Sequence, residues 1–111
     1  MTSISLKSRH WLVDENNKII MGEGRQEIFE NIEKTGSINK TAKIMKMSYK
    51  AVWGKIRATE EHMKTKLVAA DRQEGSYLTK EGKELLKKYQ IMKEKCLEAD
   101  EKVFSDIFKS V

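Results

Sequence analysis

Two serines, Ser37 and Ser48, fix the geometry of the middle of this chain. Each stands immediately before a helical pattern, where a hydroxyl can accept the unpaired backbone N–H groups of the first turn. After Ser37 the inward positions are Ile38, Ala42 and Met45. After Ser48 they are Tyr49, Val52, Trp53, Ile56 and Met63, at the spacing of one apolar helical face running to about Met63. About two residues separate the two helices, too few for them to run side by side, so they must cross steeply. The spacing predicts a helix-turn-helix.

The flanks extend that core. A first helix is expected over 23–35, with Ile28, Phe29 and Ile32 buried and Gly36 as its C-terminal stop. Upstream, residues 4–13 alternate loosely, Asp14-Glu15-Asn16-Asn17 supplies a turn, and 18–21 returns, predicting a β-hairpin over 1–21. Downstream, Leu67–Ala70 and Tyr77-Leu78 read as two strands around a turn at 72–76, a wing spanning 66–78. Thr79 then caps a last helix over 79–111. Its apolar seam (Leu85, Tyr89, Met92, Cys96, Ala99, Val103) is widened by Leu86, Leu97, Phe104, Ile107 and Phe108. The expected fold is mainly α with small β elements: a three-helix core over 23–63, an N-terminal hairpin, a wing and a long terminal helix, in one domain over 1–111.

Charge is placed as unevenly as shape. Residues 37–73 hold nine basic side chains against three acidic ones, a net of +6, while residues 1–36 carry −1 and residues 74–111 carry zero. The whole excess of +5 therefore comes from the helix-turn-helix and the first strand of the wing. A helical pair that holds all the positive charge points to a polyanion, with duplex DNA foremost.

A helical wheel locates the reading surface. Opposite the apolar face of the 48–62 helix lie Ala51, Gly54 and Ala58, flanked by Lys50, Lys55 and Arg57. Gly54 costs about 1 kcal/mol relative to alanine inside a helix. Close approach to a major groove would offset that cost, with the flanking cations on phosphates and base edges. Ser37, Asn39 and Lys40, at the amino end of the preceding helix, suit a phosphate. Arg72, Gln73 and Ser76 at the wing are placed to follow the backbone or touch the minor groove.

These residues resemble a known family. Gly-Glu-Gly-Arg at 22–25, Thr-Gly-Ser-Ile at 35–38, Ala-Lys at 42–43, Met-Ser-Tyr-Lys-Ala-Val-Trp at 47–53 and Leu-Thr-Lys-Glu-Gly at 78–82 resemble the N-terminal DNA-binding domain of the molybdate-responsive regulators, the ModE family. The resemblance covers 22–89. It implies a LysR-like winged helix-turn-helix that dimerises partly through its long terminal helix and binds operator DNA. Carried over by position, it places Ser48, Tyr49, Lys50 and Lys55 on the DNA, with Ser37 and Lys40 beside them. The sequence departs from the family at Lys46, where a glycine usually stands in the turn, and in a wing that keeps only Gly75. Fuller members add a molybdate-binding module, so molybdate binding is not expected of these residues, nor is an effector domain.

Other chemistries find no support. His10, His62 and Cys96 fit no metal-ligand spacing, Gly22-x-Gly24 lacks a third glycine, and no nucleophilic triad is ordered, so neither metal, cofactor nor catalysis is expected. Trp53 borders the buried face and is assigned to the core. A lone cysteine, no membrane-length apolar run and no secretory leader fit a cytoplasmic protein. A terminal helix of about 30 residues exposes more seam than one small domain covers, which predicts a homodimer through Leu85, Tyr89, Met92, Cys96, Val103, Phe104 and Ile107. The competing function is a winged-helix module whose basic face binds an acidic protein.

Overall fold

The computed structural model describes residues 3–109; residues 1–2 and 110–111, the outer ends of the expected hairpin and terminal helix, lie outside the described residues. The elements are β1 (Leu12–Val13), β2 (Ile19–Met21), α1 (Glu23–Thr35), α2 (Ile38–Met45), α3 (Tyr49–Met63), β3 (Val68–Asp71), β4 (Gly75–Leu78) and α4 (Lys80–Phe104), followed by one wide π-helical turn at Ser105–Lys109. The strands form two separate antiparallel pairs, β1 with β2 and β3 with β4. This is a winged helix-turn-helix.

Local chemistry sets each boundary. Gly36 ends α1 in the left-handed region (φ 68°), its N–H bonding the Ile32 carbonyl at 2.8 Å. The Ser37 hydroxyl accepts the Lys40 N–H at 3.1 Å and the Ser48 hydroxyl the Ala51 N–H at 3.0 Å, so both expected caps are made. The turn between them passes through Lys46 at φ 54°, ψ 44°, left-handed in a residue that carries a Cβ. The Thr79 hydroxyl accepts the Gly82 N–H at 3.1 Å to open α4, and donates to the Lys66 carbonyl at 2.7 Å.

Three helices and the base of the wing enclose the core: Met21, Ile28, Phe29, Ile32, Val52, Ile56, Leu67, Val68 and Tyr89 are at most 1% exposed. Only the first half of α4 joins it, through Leu85, Leu86 and Tyr89. The second half projects past the core, and the radius of gyration is 17.0 Å against the roughly 13 Å of a compact domain this size.

Several expectations are corrected. The N-terminal hairpin pairs only at 12–13 with 19–21; residues 3–11 form no strand. That segment is held to α4 instead, where the Tyr89 hydroxyl donates to the His10 carbonyl at 2.6 Å and the Ser8 hydroxyl donates to Asp100. On α3, Tyr49 and Met63 are exposed and Thr59 takes the inward place, donating to the Ile20 carbonyl at 2.7 Å. On the expected dimer seam, Leu85 and Tyr89 are core residues of the protomer, and Phe104 is buried with Phe108 stacked on it at 5.2 Å. Those three are not available to a second copy. Met92 and Cys96 are half-buried, and Val103 and Ile107 are exposed.

Candidate nucleic-acid interface

The turn that carries α2 and the wing that flanks α3 are tied together by backbone. Thr35 Oγ1 bonds both the Asn31 carbonyl and the Ser37 N–H, Gly36 turns the chain, Ser37 caps, and Ile38 enters the core. The Gly36 carbonyl in turn accepts the Ser76 N–H at 2.9 Å. Gly75, at φ 81°, lies so near that carbonyl that a Cβ would collide with it. The turn that opens α2 and the return strand of the wing are therefore in direct backbone contact.

The sequence Leu78-Thr79-x-x-Gly82 is a second fastening. Leu78 is buried, the Thr79 N–H bonds the Leu67 carbonyl at 2.9 Å, and a Cβ at Gly82 would collide with that same carbonyl. Glu60, on α3, accepts the N–H groups of Leu67 and Val68 at 2.8 and 3.2 Å, closing the third side of the junction. Sequence reasoning read these residues as a family mark and missed that their work is structural. The signal was present, since a glycine three positions after a cap answers to a close neighbour rather than to a turn.

Between those fastenings α3 presents its outer face. Ala51 and Gly54 are exposed, and Ala58 is half-buried at the edge of the same line. Nothing lies within 4 Å of where a Gly54 Cβ would stand, so the missing side chain answers no demand of the fold. Lys50 and Arg57 flank one side of this crest and Lys55 the other; all three are exposed. Ser48 and Tyr49 open the helix beside them, exposed as well, while Asn39 and Lys40 are exposed at the start of α2 and Ser37 is half-buried. Among the described residues no ion pair holds Lys40, Lys50 or Lys55. Their charges face solvent.

Trp53 is half in the core and half in this face. Its ring meets Tyr49 edge-on at 6.5 Å and lies under the Arg57 guanidinium at 5.4 Å, a cation–π contact that orients the arginine. Tyr49, Lys50, Trp53, Gly54 and Arg57 line an open concavity of about 550 Å³ with walls mainly of carbon. The assignment of Trp53 to the core alone is thus incomplete, because a side chain this large reaches both sides of its helix.

At the wing the tip is Arg72, Gln73 and Glu74, all exposed, shaped by Asp71 Oδ1 accepting the Gln73 and Glu74 N–H groups at 2.7 and 3.3 Å. Ser76 is not part of it. β4 begins earlier than expected, at Gly75, and strand alternation turns Ser76 and Leu78 inward and Tyr77 outward. Ser76 is 9% exposed and leaves the candidate surface.

Among the described residues no group of three or more His, Cys, Asp or Glu side chains is placed to hold a metal, and no helix is long and apolar enough to cross a membrane. Compared with known proteins, the chain matches no curated protein. It does match the family model described as bacterial regulatory helix-turn-helix protein, lysR family, over residues 25–83. That span runs from α1 through the wing to the first turn of α4 and contains every α2 and α3 residue described above. The chain belongs to the lysR family of bacterial regulatory helix-turn-helix proteins, whose matched part is the DNA-binding domain of transcription regulators.

Proposed function

We propose that this protein regulates transcription as a homodimer that binds operator duplex with α3 in the major groove. The observation that carries the reading is the outer face of α3: a bare crest at Ala51 and Gly54 between exposed cations, where the fold itself requires no glycine. Ser37, Asn39 and Lys40 serve as phosphate contacts at the start of α2, Ser48, Tyr49, Lys50, Lys55 and Arg57 contact bases and backbone from α3, and Arg72 and Gln73 reach the flanking backbone. Val103 and Ile107, exposed, supply the dimer seam on the face of α4 that also carries half-buried Met92 and Cys96, and Leu97 widens it. Pairing through α4 sets the two copies of α3 about 34–36 Å apart, matched to an inverted repeat.

Within the lysR family we place the chain nearest the ModE-like regulators, on Ser48-Tyr49-Lys50-x-x-Trp53 and Leu78-Thr79-x-x-Gly82. The reading assigns DNA binding to these residues, not oxyanion binding.

A titration of duplex DNA against salt tests it. A dimer neutralising three or four phosphates per protomer gives a log–log slope of about −5 to −7. The Gly54→Leu variant, folded but with its crest filled, is expected to bind about ten- to a hundredfold more weakly across all duplexes. A response flat with salt, or full affinity in Gly54→Leu, overturns the reading and favours an acidic protein partner for the same face.

A further inference from the structure

The concavity on the flank of α3 has an unusual make-up for a surface that faces a polyanion. Two cations, Lys50 and Arg57, share its lining with the Trp53 and Tyr49 rings and the bare backbone of Gly54, and the Arg57 guanidinium lies over the Trp53 ring. No carboxylate lines it. The base edges of a B-DNA major groove show hydrogen-bond donors and acceptors and one apolar group, the C5-methyl of thymine. Resting on the placement of α3 in the major groove, we propose that this concavity is a thymine-methyl site, and that Gly54 and Trp53 determine specificity for a T·A pair at one position in each half-site.

The geometry separates two tasks. Arg57 is held over the Trp53 face, which fixes its charge for a phosphate or a neighbouring base and leaves the space beside Gly54 unfilled. The floor stays open because residue 54 has no side chain and no neighbour moves in to replace it. A methyl group entering there leaves water for the carbon surface of Trp53, Tyr49 and Gly54. A hydrogen at the same ring position, as in uracil, leaves the floor wet. The Watson–Crick edges are unchanged between the two bases, so the difference reads the methyl alone.

The test uses duplexes that the protein itself selects from a random pool, with each thymine replaced singly by deoxyuridine. At one position per half-site the wild-type protein is expected to lose about three- to tenfold in affinity, the worth of one buried methyl group. The Gly54→Ala variant puts a Cβ on the floor without any clash, and at that position its loss is expected to shrink below about twofold. Equal affinity for thymine and uracil at every position overturns the inference while leaving DNA binding in place. So does a preference that persists undiminished in Gly54→Ala, which places the methyl elsewhere. Failure to enrich any duplex from the pool removes the placement of α3 and this inference with it.

Discussion

Gly82 and Leu67 meet backbone to backbone: the first turn of α4 rests on the Leu67 carbonyl with no room between them for a methyl group. Gly82→Ala is therefore expected to destabilise the protein by about 1–3 kcal/mol, although alanine is the better helix former. Urea unfolding of the two proteins checks this, and equal midpoints would sink it.

Gly54, also inside a helix, predicts the opposite sign. Its Cβ position is empty space, so Gly54→Ala is expected to stabilise by about 0.5–1 kcal/mol through lost unfolded-state freedom. Thermal melts should rise even as duplex affinity falls. One substitution, measured twice, separates folding from recognition.

Lys46 holds a left-handed conformation at φ 54° in the turn between α2 and α3. Lys46→Gly relieves about 1–2 kcal/mol of conformational cost and gives back part of it to chain entropy, for a net gain of about 0.5–1 kcal/mol. The denaturation midpoint should move upward. A downward shift would mean that the lysine side chain makes a contact worth more than the strain.

Asp14 closes the β1–β2 turn, its Oδ1 accepting the Lys18 and Asn16 N–H groups at 2.9 and 2.8 Å, with His62 of α3 at 3.1 Å from its other oxygen. The Lys18 N–H bond, aided by the Asn16 N–H and by the charges of His62 and Lys18, holds this carboxyl below its ordinary 3.8. The folded state therefore binds that proton less readily than the unfolded chain. The resulting stability is present above pH 3.8 and is lost as pH falls through the lower folded value. Asp14→Asn should be less stable than the parent at neutral pH, and the gap should narrow as pH falls below 3.8 and close below the lowered folded value. A gap that does not change with pH would assign the effect to turn geometry alone.

Val103 and Leu97 are exposed on α4, 55% and 40%, whereas Tyr89 is buried. Val103→Glu and Leu97→Glu should convert the proposed dimer to a monomer in sedimentation while leaving the helical signal intact. Tyr89→Phe should leave the association state alone and cost about 0.5–1.5 kcal/mol through the lost bond to the His10 carbonyl.

Local signals in the sequence were enough to place α1, α2 and α3, because Gly36, Ser37 and Ser48 act on their own neighbours within a turn. Long-range partners were not legible. The alternation over 4–13 looks like a strand, but tertiary bonds from Tyr89 and Asp100 claim the segment first. Spacing put Leu85 and Tyr89 on the same stripe as Val103, and only packing distinguishes the half of α4 that meets the core from the half that does not. The bare crest of α3 was readable because a helical wheel needs no tertiary knowledge. The concavity beside it was not, since it arises from how Tyr49, Trp53 and Arg57 arrange themselves in space.

The Thr79 side chain has one oxygen and two obligations: it starts α4 by accepting from the Gly82 N–H and anchors the strand side of the wing by donating to the Lys66 carbonyl. The arm that α4 extends past the core therefore springs from the same hydroxyl that holds the wing. The orientation of the arm and the seating of the wing's root are thus fixed at one shared point.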